Sequence, residues 1–353
     1  MVTTFGIEEE FVLLDPETLT PVECAAQAVA VLADGRCDGS VAREFLCAQV
    51  EYATPVCGST SEARDALLGF RRRLADWAAD AGVIAAGTGT PFRGHALPTI
   101  SPGERYAEIS SEVTALTGDH QIGGLHVHVG VDREAGVRAS NALRGWLPIL
   151  LALSGNSPFW AGRDTGYDSW RAIHSRRWTT YGIPPLFRDA DDYDEVAAAL
   201  VGIGATTDPR GVNWNMRLST RYPTLEVRVC DVQLDAESSI ALAVVIRALV
   251  ESALEPDSPP TLDRAPWDAA LWHAARHGLR GTLVHPHTGR LVPAAEVLSA
   301  LHDRIAPHLR GDDEVRVAEG LLERPRSGAV RQREAHRAGI PALARLYRES
   351  LAR

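Results

Sequence analysis

Four stretches of the chain place polar groups at every second position, the period of an extended strand. Phe5 to Leu14 points Glu8 and Glu10 the same way, and Leu46 to Ala53 carries Glu51 among apolar neighbours. Gly124 to Val131 alternates His126 and His128 with Leu125, Val127 and Val129; Thr224 to Val232 alternates Glu226, Arg228 and Cys230 with Leu225, Val227 and Val229. Strands charged on one face and apolar on the other predict an antiparallel sheet with one covered face. The covering is predicted where the period lengthens to that of a helix. Ser61 to Gly82 carries Ala63, Leu67, Phe70, Leu74 and Trp77 at helical spacing, and Arg138 to Leu153 reads as a second helix that Pro148 should kink. A third begins at Asp235, a suitable N-cap, and runs through the apolar Ile240 to Leu249. The predicted class is α+β: an antiparallel β-sheet with helices packed on one face.

Glu255-Pro256-Asp257-Ser258-Pro259-Pro260 breaks the pattern, and further breaks are expected near Pro293, Pro307 and Pro325. Because the charged strand positions fall between Glu8 and Asp231, the expected organisation is a catalytic domain over 1–255 and a helical C-terminal extension over 256–353 packed on it.

Composition narrows the chemistry. At 353 residues, 45% hydrophobic and 23% charged, the chain can bury a large core. Its longest apolar run, Trp146 to Leu153, is far short of the roughly 20 residues a membrane span needs, and the start lacks a basic then apolar leader. A cytoplasmic protein without a membrane partner is expected. The five cysteines form no CxxC pair, which suits reduced thiols rather than a disulfide framework or a structural zinc site. A net charge of −10 argues against a nucleic-acid partner. The chain contains no lysine, so all 36 Lys-plus-Arg residues are arginine. That excludes a P-loop, a pyridoxal Schiff base and a protein kinase, each of which needs a lysine. No GxSxG or HExxH is present, and Gly87-Thr88-Gly89 has Phe92 where a third dinucleotide-binding glycine would fall.

Carboxylates within strands need a partner, since they are rarely buried alone. One reading is a solvated sheet face with Glu–Arg pairs across strands. Gathered on one face, however, Glu8, Glu10, Glu51 and Glu226 would repel unless cations lay between them, and hard oxygen ligands select magnesium or manganese. His126 and His128 could both reach such a site, though an isolated HxH equally suits a zinc hydrolase or packing. A second HxH, His285 and His287, straddles Pro286 before Thr288-Gly289 and reads as an exposed turn. Cys230 lacks an evident base and reads as a small core residue; Trp160, Trp170, Trp178 and Trp214 read as packing residues that could flank a pocket.

Several segments carry a resemblance beyond these patterns: Gly6-Ile7-Glu8-Glu9-Glu10-Phe11, Glu51-Tyr52-Ala53-Thr54-Pro55-Val56, Gly124-Leu125-His126-Val127-His128-Val129-Gly130 and Tyr222-Pro223-Thr224-Leu225-Glu226-Val227-Arg228. With Asn156-Ser157-Pro158-Phe159-Trp160, Asp164-Thr165-Gly166-Tyr167, Ser169 and Arg171 between the last two, their order over about residues 1–255 resembles the glutamate-cysteine ligase type 2 family, in particular its bacterial carboxylate-amine ligase subgroup. Thr88 to Phe92 departs from the pattern, with Pro91 where a His-Pro pair is common.

The resemblance implies a curved antiparallel sheet like that of the glutamine synthetase and glutamate-cysteine ligase catalytic domains, holding ATP and Mg2+ or Mn2+. It implies Glu8, Glu10, Glu44, Glu51, His126 and Glu226 as metal ligands. Arg217, Arg221, Arg228 and His128 become the expected nucleotide-facing residues, with Glu226 and Arg228 catalytic. The implied reaction joins an amino acid or other carboxylate to an amine through an acyl phosphate; a homodimer is the implied assembly. Two competing readings are a metal-dependent hydrolase using His126, His128 and carboxylates, and a non-catalytic nucleotide-binding descendant.

Overall fold

The computed structural model describes residues 3–36, 38–255, 263–323 and 326–353. Cys37, Pro325 and all of the expected break beyond Glu255 up to residue 262 lie outside them. Strands β1 (Phe5–Leu14), β2 (Ser40–Arg43), β3 (Gln49–Ala53), β4 (Ile84–Ala86) and β5 (Gly124–Gly130) are followed by a small hairpin of β6 (Phe159–Trp160) and β7 (Arg163–Asp164), then β8 (Met216–Leu218) and β9 (Thr224–Asp231). A seven-stranded sheet runs β2-β3-β1-β5-β9-β8, with β4 also paired to β1. Every pairing in it is antiparallel. β1 is the centre: its first half lies between β3 and β5, and beyond Glu9 the side left by β5 is taken by β4.

Ile7, Phe11, Leu13, Val50, Tyr52, Leu125, Val127, Val129, Leu225 and Val227 form the apolar face and belong to one core with the helices Thr60–Asp80, Leu147–Ser154 and Ala236–Ser252. The first helix is capped by Ser59, whose side chain accepts from Glu62 N. The last is capped by Asp235, accepting from Ser238 N at 2.9 Å. The helix expected over Arg138 to Leu153 is instead two helices, Arg133–Leu143 and Leu147–Ser154, joined by the tight turn Arg144–Trp146. Pro148 sits in the first turn of the second, where a missing N–H costs nothing, so it starts a helix rather than kinking one.

One carboxylate lies on the apolar side. Glu9 is fully buried against the equally buried Arg71 of Thr60–Asp80, whose Nε and Nη2 donate to its two oxygens at 2.9 and 2.5 Å. Arg71 also donates to the carbonyls of Leu234 and Gln233 at 3.1 and 3.0 Å. This fork ties the helix to β1 behind the charged face.

The alternation predicted for β9 holds only to Arg228. Between β5 and β9 the register shifts: Val127 faces Val227, but Leu125 faces Cys230, so β9 carries one extra residue there. The bulge turns Cys230 off the charged face into the core, where it is buried and its thiol is pushed up to about 12 by burial. Asp231 thereby pairs with Gly124.

The C-terminal helices share the core through Trp267, Leu271, Val297 and Leu301. Gln332 reaches beneath the sheet's end, donating to Asn156 O at 2.8 Å and Oδ1 at 2.7 Å. Among the described residues no helix is long and apolar enough to cross a membrane.

Candidate active site

The charged face is set by register. Glu10 stands opposite Glu51, Glu8 opposite His126, and His128 opposite Glu226, which in turn faces Arg217 on β8. Glu44 lies just past β2, beside this row. All of these residues, with Arg228 and Arg221, line one cleft of about 1130 Å³. His285 and His287 do not line it, and of the four tryptophans only Trp178 does.

The potential ligands fall into two groups whose donor atoms lie within 4.8 Å of one another: Glu8, His128 and Glu226, and Glu10, Glu44 and Glu51. His126 sits between them, its Nδ1 3.3 Å from Glu8 and 3.9 Å from Glu226, and its Nε2 3.9 Å from Glu10. His128 Nε2 lies 3.2 Å from Glu8, while its Nδ1 contacts Thr224 Oγ1 at 2.9 Å. Among the described residues, the buried His126 Nε2 has no hydrogen-bond partner. Oxygen-rich groups with one imidazole each at most fit hard divalent cations such as magnesium or manganese.

Charge differs sharply across this face. Burial, then the charge of Glu10, pushes Glu44 up to about 7. Burial, then Glu44 and Glu8, raises Glu51 well above the usual carboxylate range. This is the behaviour of carboxylates crowded without a counterion. Burial also opposes ionisation of Glu8, but hydrogen bonds from His126 and His128 outweigh it and hold its carboxyl well below that range. At Glu226 burial is likewise outweighed, by Arg228 and then Arg217. Burial and Arg228 depress His126, which favours the neutral imidazole a metal requires.

The arginines divide their work. Arg217 donates from Nε to Glu226 at 2.8 Å and from Nη1 to the carbonyls of Arg210 and Val212 at 2.6 and 2.8 Å. Among the described residues Arg228 engages Glu226 through Nη1, with His126 Nδ1 3.5 Å away. Arg221 is at the exposed rim, its guanidinium 5.5 Å from the Tyr222 ring centre.

The signature segments between β5 and β8 brace the floor. Asp231 is fully buried and accepts from Asn156 N at 2.9 Å, Ser157 Oγ at 2.6 Å and Ser169 Oγ at 2.8 Å. Arg171, on the short helix Trp170–Ser175, takes the two carbonyls at the β9 bulge, Arg228 O at 3.2 Å and Val229 O at 3.4 Å. The run Gly87-Thr88-Gly89 serves close packing: a Cβ would fall 2.1 Å from Gln233 O at Gly87 and 2.7 Å from Asp231 Cγ at Gly89. A phosphate cradle is not needed to explain it. Gly124 donates its N–H to Glu10 at 2.6 Å.

Sequence reasoning did not assign Tyr181, Asn215 or His120, which also line the cleft. None stands in a long alternating strand; only their neighbours Arg171 and Arg217 carried a signal.

The model of glutamate-cysteine ligase family 2 matches residues 4–349, so the likeness extends through the C-terminal third. A protein of Saccharopolyspora erythraea provisionally named glutamate–cysteine ligase 2-2 is 40% identical over 353 residues, covering 96% of this chain and 89% of that one. A Rhodococcus jostii protein provisionally named glutamate–cysteine ligase 2-1 is 39% identical over 341 residues, covering 93% and 90%. Among solved structures, the glutamate–cysteine ligase of Francisella tularensis in complex with AMP superposes with a TM-score of 0.72 at 12% identity, covering 100% of this chain and 89% of that one. A bifunctional glutathione synthetase of Pasteurella multocida gives 0.73 at 16% identity, with 99% of this chain matching 52% of that one. These structures share the fold. The family match over nearly the whole chain and the close relatives agree with the acidic cleft: the chain belongs to glutamate-cysteine ligase family 2, a family of ATP-dependent carboxylate–amine ligases.

Proposed function

We propose that the cleft joins an amino-acid-type carboxylate to an amine with ATP, using divalent ions held by the two carboxylate groups. The observation that carries this reading is the pairing of those groups on adjacent strands, Glu8, His128 and Glu226 beside Glu10, Glu44 and Glu51. ATP supplies the phosphoryl group that makes the acid an acyl phosphate, and magnesium or manganese, when bound, screens the charge of the phosphates.

The chain's own residues do the rest by position and charge. Glu44 and Glu51, both raised by burial and then by neighbouring carboxylates, would ionise fully as a cation enters beside Glu10. His126, between the groups, can turn its unpartnered Nε2 to an ion or an oxygen. Arg217 anchors Glu226 and is itself fixed by two carbonyls. Arg228 has only Nη1 engaged among the described residues, so the remaining nitrogens of its fork suit an equatorial phosphoryl oxygen or the reacting carboxylate. Substrate carboxylate and phosphate are thereby steered together with no lysine involved.

Release of ADP from ATP, measured with a panel of acids and amines that includes L-glutamate and L-cysteine, tests the reading. ADP should form only with an acid present and with magnesium or manganese; ADP formation with water alone, undiminished by chelator, would contradict it.

A further inference from the structure

Arg71, Arg144 and Arg247 rank among the most deeply buried side chains of the protein. Arg71 pairs with Glu9 at 2.5 Å, and Arg247 with Glu251 and Glu314 at 2.6 Å each. Arg144, 1% exposed, makes no ion pair among the described residues. Its Nε donates to Pro184 O at 2.9 Å, while its Nη1 has no hydrogen-bond partner among them. A guanidinium does not give up its proton, so a buried one without a carboxylate is costly unless an anion reaches it. Burial, then the like charge of Arg264, works against Arg144; Asp263 and Asp268 offset this from a distance without touching it.

The groups around Arg144 are donors too. Trp267 is fully buried with its ring edge against Gly145, where a Cβ would fall 2.9 Å from Cζ2, and its Nε1 likewise has no partner among the described residues. Arg264 stands on the same face of the same helix, Arg264–His277, as its first residue. Its buried Nε lies 3.4 Å from Asp268 without hydrogen-bonding geometry, while 41% of the side chain is exposed. Asp268 is engaged elsewhere, its Oδ1 accepting from Ile183 N at 2.9 Å. At the N-cap, Asp263 makes no side-chain hydrogen bond to the first turn, so the positive end of the helix adds to the two guanidiniums. None of Arg144, Arg264 and Trp267 lines the acidic cleft.

We propose that Arg144, Arg264 and Trp267 form a second ligand site, outside the cleft, for a small oxyanion of the phosphate or carboxylate class. Three N–H donors without partners at a helix N-terminus match a compact ion with several acceptor oxygens. A neutral ligand would leave the charge of Arg144 unmatched, and two guanidiniums exclude a cation. Arg264, with its exposed head and long stem, swings aside to admit the ion and closes on it. The site reaches the cleft through one segment: Arg144 holds Pro184 O, Asp268 holds Ile183 N, and Gly182 O accepts from Asn215 N at 2.8 Å. Tyr181 and Asn215 line the cleft, so a bound ion braces the segment behind its wall.

The test is NMR of the whole 15N-labelled chain in buffer with chelator, where the Trp267 indole N–H is identified among the eight tryptophans by its loss in Trp267→Phe. Inorganic phosphate and acetate are the probes, with chloride at matched ionic strength as the control. The Trp267 signal should move saturably with phosphate or acetate, and the tighter of the two names the class of ligand. Arg264→Ala should weaken that binding by about tenfold or more, the scale of one lost hydrogen bond to a charged group, whereas Arg228→Lys in the cleft should leave it within about twofold. The tighter oxyanion should also raise the Tm of the wild type, raise that of Arg264→Ala less, and leave that of Arg144→Met unmoved. Where Arg144→Met or Trp267→Phe does not fold, the melts of Arg264→Ala against Arg228→Lys decide. A Trp267 signal that moves no more with phosphate or acetate than with chloride overturns the assignment. So does a response without saturation, the mark of an adventitious ion only, or equal weakening in Arg228→Lys and Arg264→Ala.

Discussion

Glu226 is 2% exposed and still ionised, because two guanidiniums repay the cost of its burial. The two are not equivalent. Arg217 is spent on Glu226 and two carbonyls, so Arg217→Met should mainly lower Tm, by several degrees, as those acceptors lose their donor. Arg228→Lys keeps the charge but loses the fork, and should lower kcat by about tenfold or more with Tm little changed. Thermal melts and kinetics on both variants check this, and equal effects would erase the distinction. Glu226→Gln should cost at least ~100-fold in turnover, as expected for lost charge stabilisation. His120 titrates in the opposite direction to a paired histidine. Its Nδ1 accepts from Trp178 Nε1 at 2.7 Å, which requires the neutral ring, and burial with Arg171 and Arg177 pushes it down to about 3. Below about pH 6.5 the unfolded chain binds the extra proton, so this stabilisation is complete above pH 6.5 and is lost as pH falls toward 3. Since the ring is partly exposed, about 1 kcal/mol by pH 5 is expected. His120→Gln, which can still accept from the indole, should show a shallower fall in Tm between pH 7 and 5; an identical slope would contradict it. At this scale the sequence was most legible where charge broke a strand's apolar alternation, as at Glu8, Glu10, Glu51 and Glu226. Glu44 lies outside any strand and came only with the family spacing.

At the scale of elements, the helix Thr60–Asp80 and β1 are joined by an ion pair with no exposure on either side chain. Removing one partner leaves a buried unpaired charge, so Arg71→Met should destabilise by about 3–5 kcal/mol, and Glu9→Gln added to it should recover part of that. Denaturant unfolding measures both; a double variant no better than the single one would show that Arg71 matters by its shape alone. Glu9 lies between Glu8 and Glu10 and so faces the covered side, but its partner lies 62 residues away among three consecutive arginines, and only packing selects Arg71. The long strands β1, β5 and β9 were legible because each repeats its period over seven or more residues, whereas β4 and β8 have three residues each and carry none. The β9 bulge was hidden for a related reason: one inserted residue reverses the facing of the residues after it without altering the apolar–polar pattern.

For the whole molecule, the C-terminal third proves to be part of the site's support. Gln332 holds Asn156, whose N–H binds Asp231, and Arg333 pairs with Asp164 at 2.8 Å and with Asp168. No motif announced this, since these contacts are single polar residues on helices that otherwise read as generic. The family match through residue 349 is consistent with their importance. The whole arrangement must accomplish transfer of a phosphoryl group to a carboxylate oxygen, and then attack by an amine. The most direct measurement is isotope transfer: the acid that best supports ADP release is labelled with 18O in its reacting carboxylate, and the phosphate released during amide formation is analysed by mass spectrometry. One 18O atom per phosphate, in step with amide and ADP, is the predicted result; unlabelled phosphate accompanying ADP and amide would contradict the account.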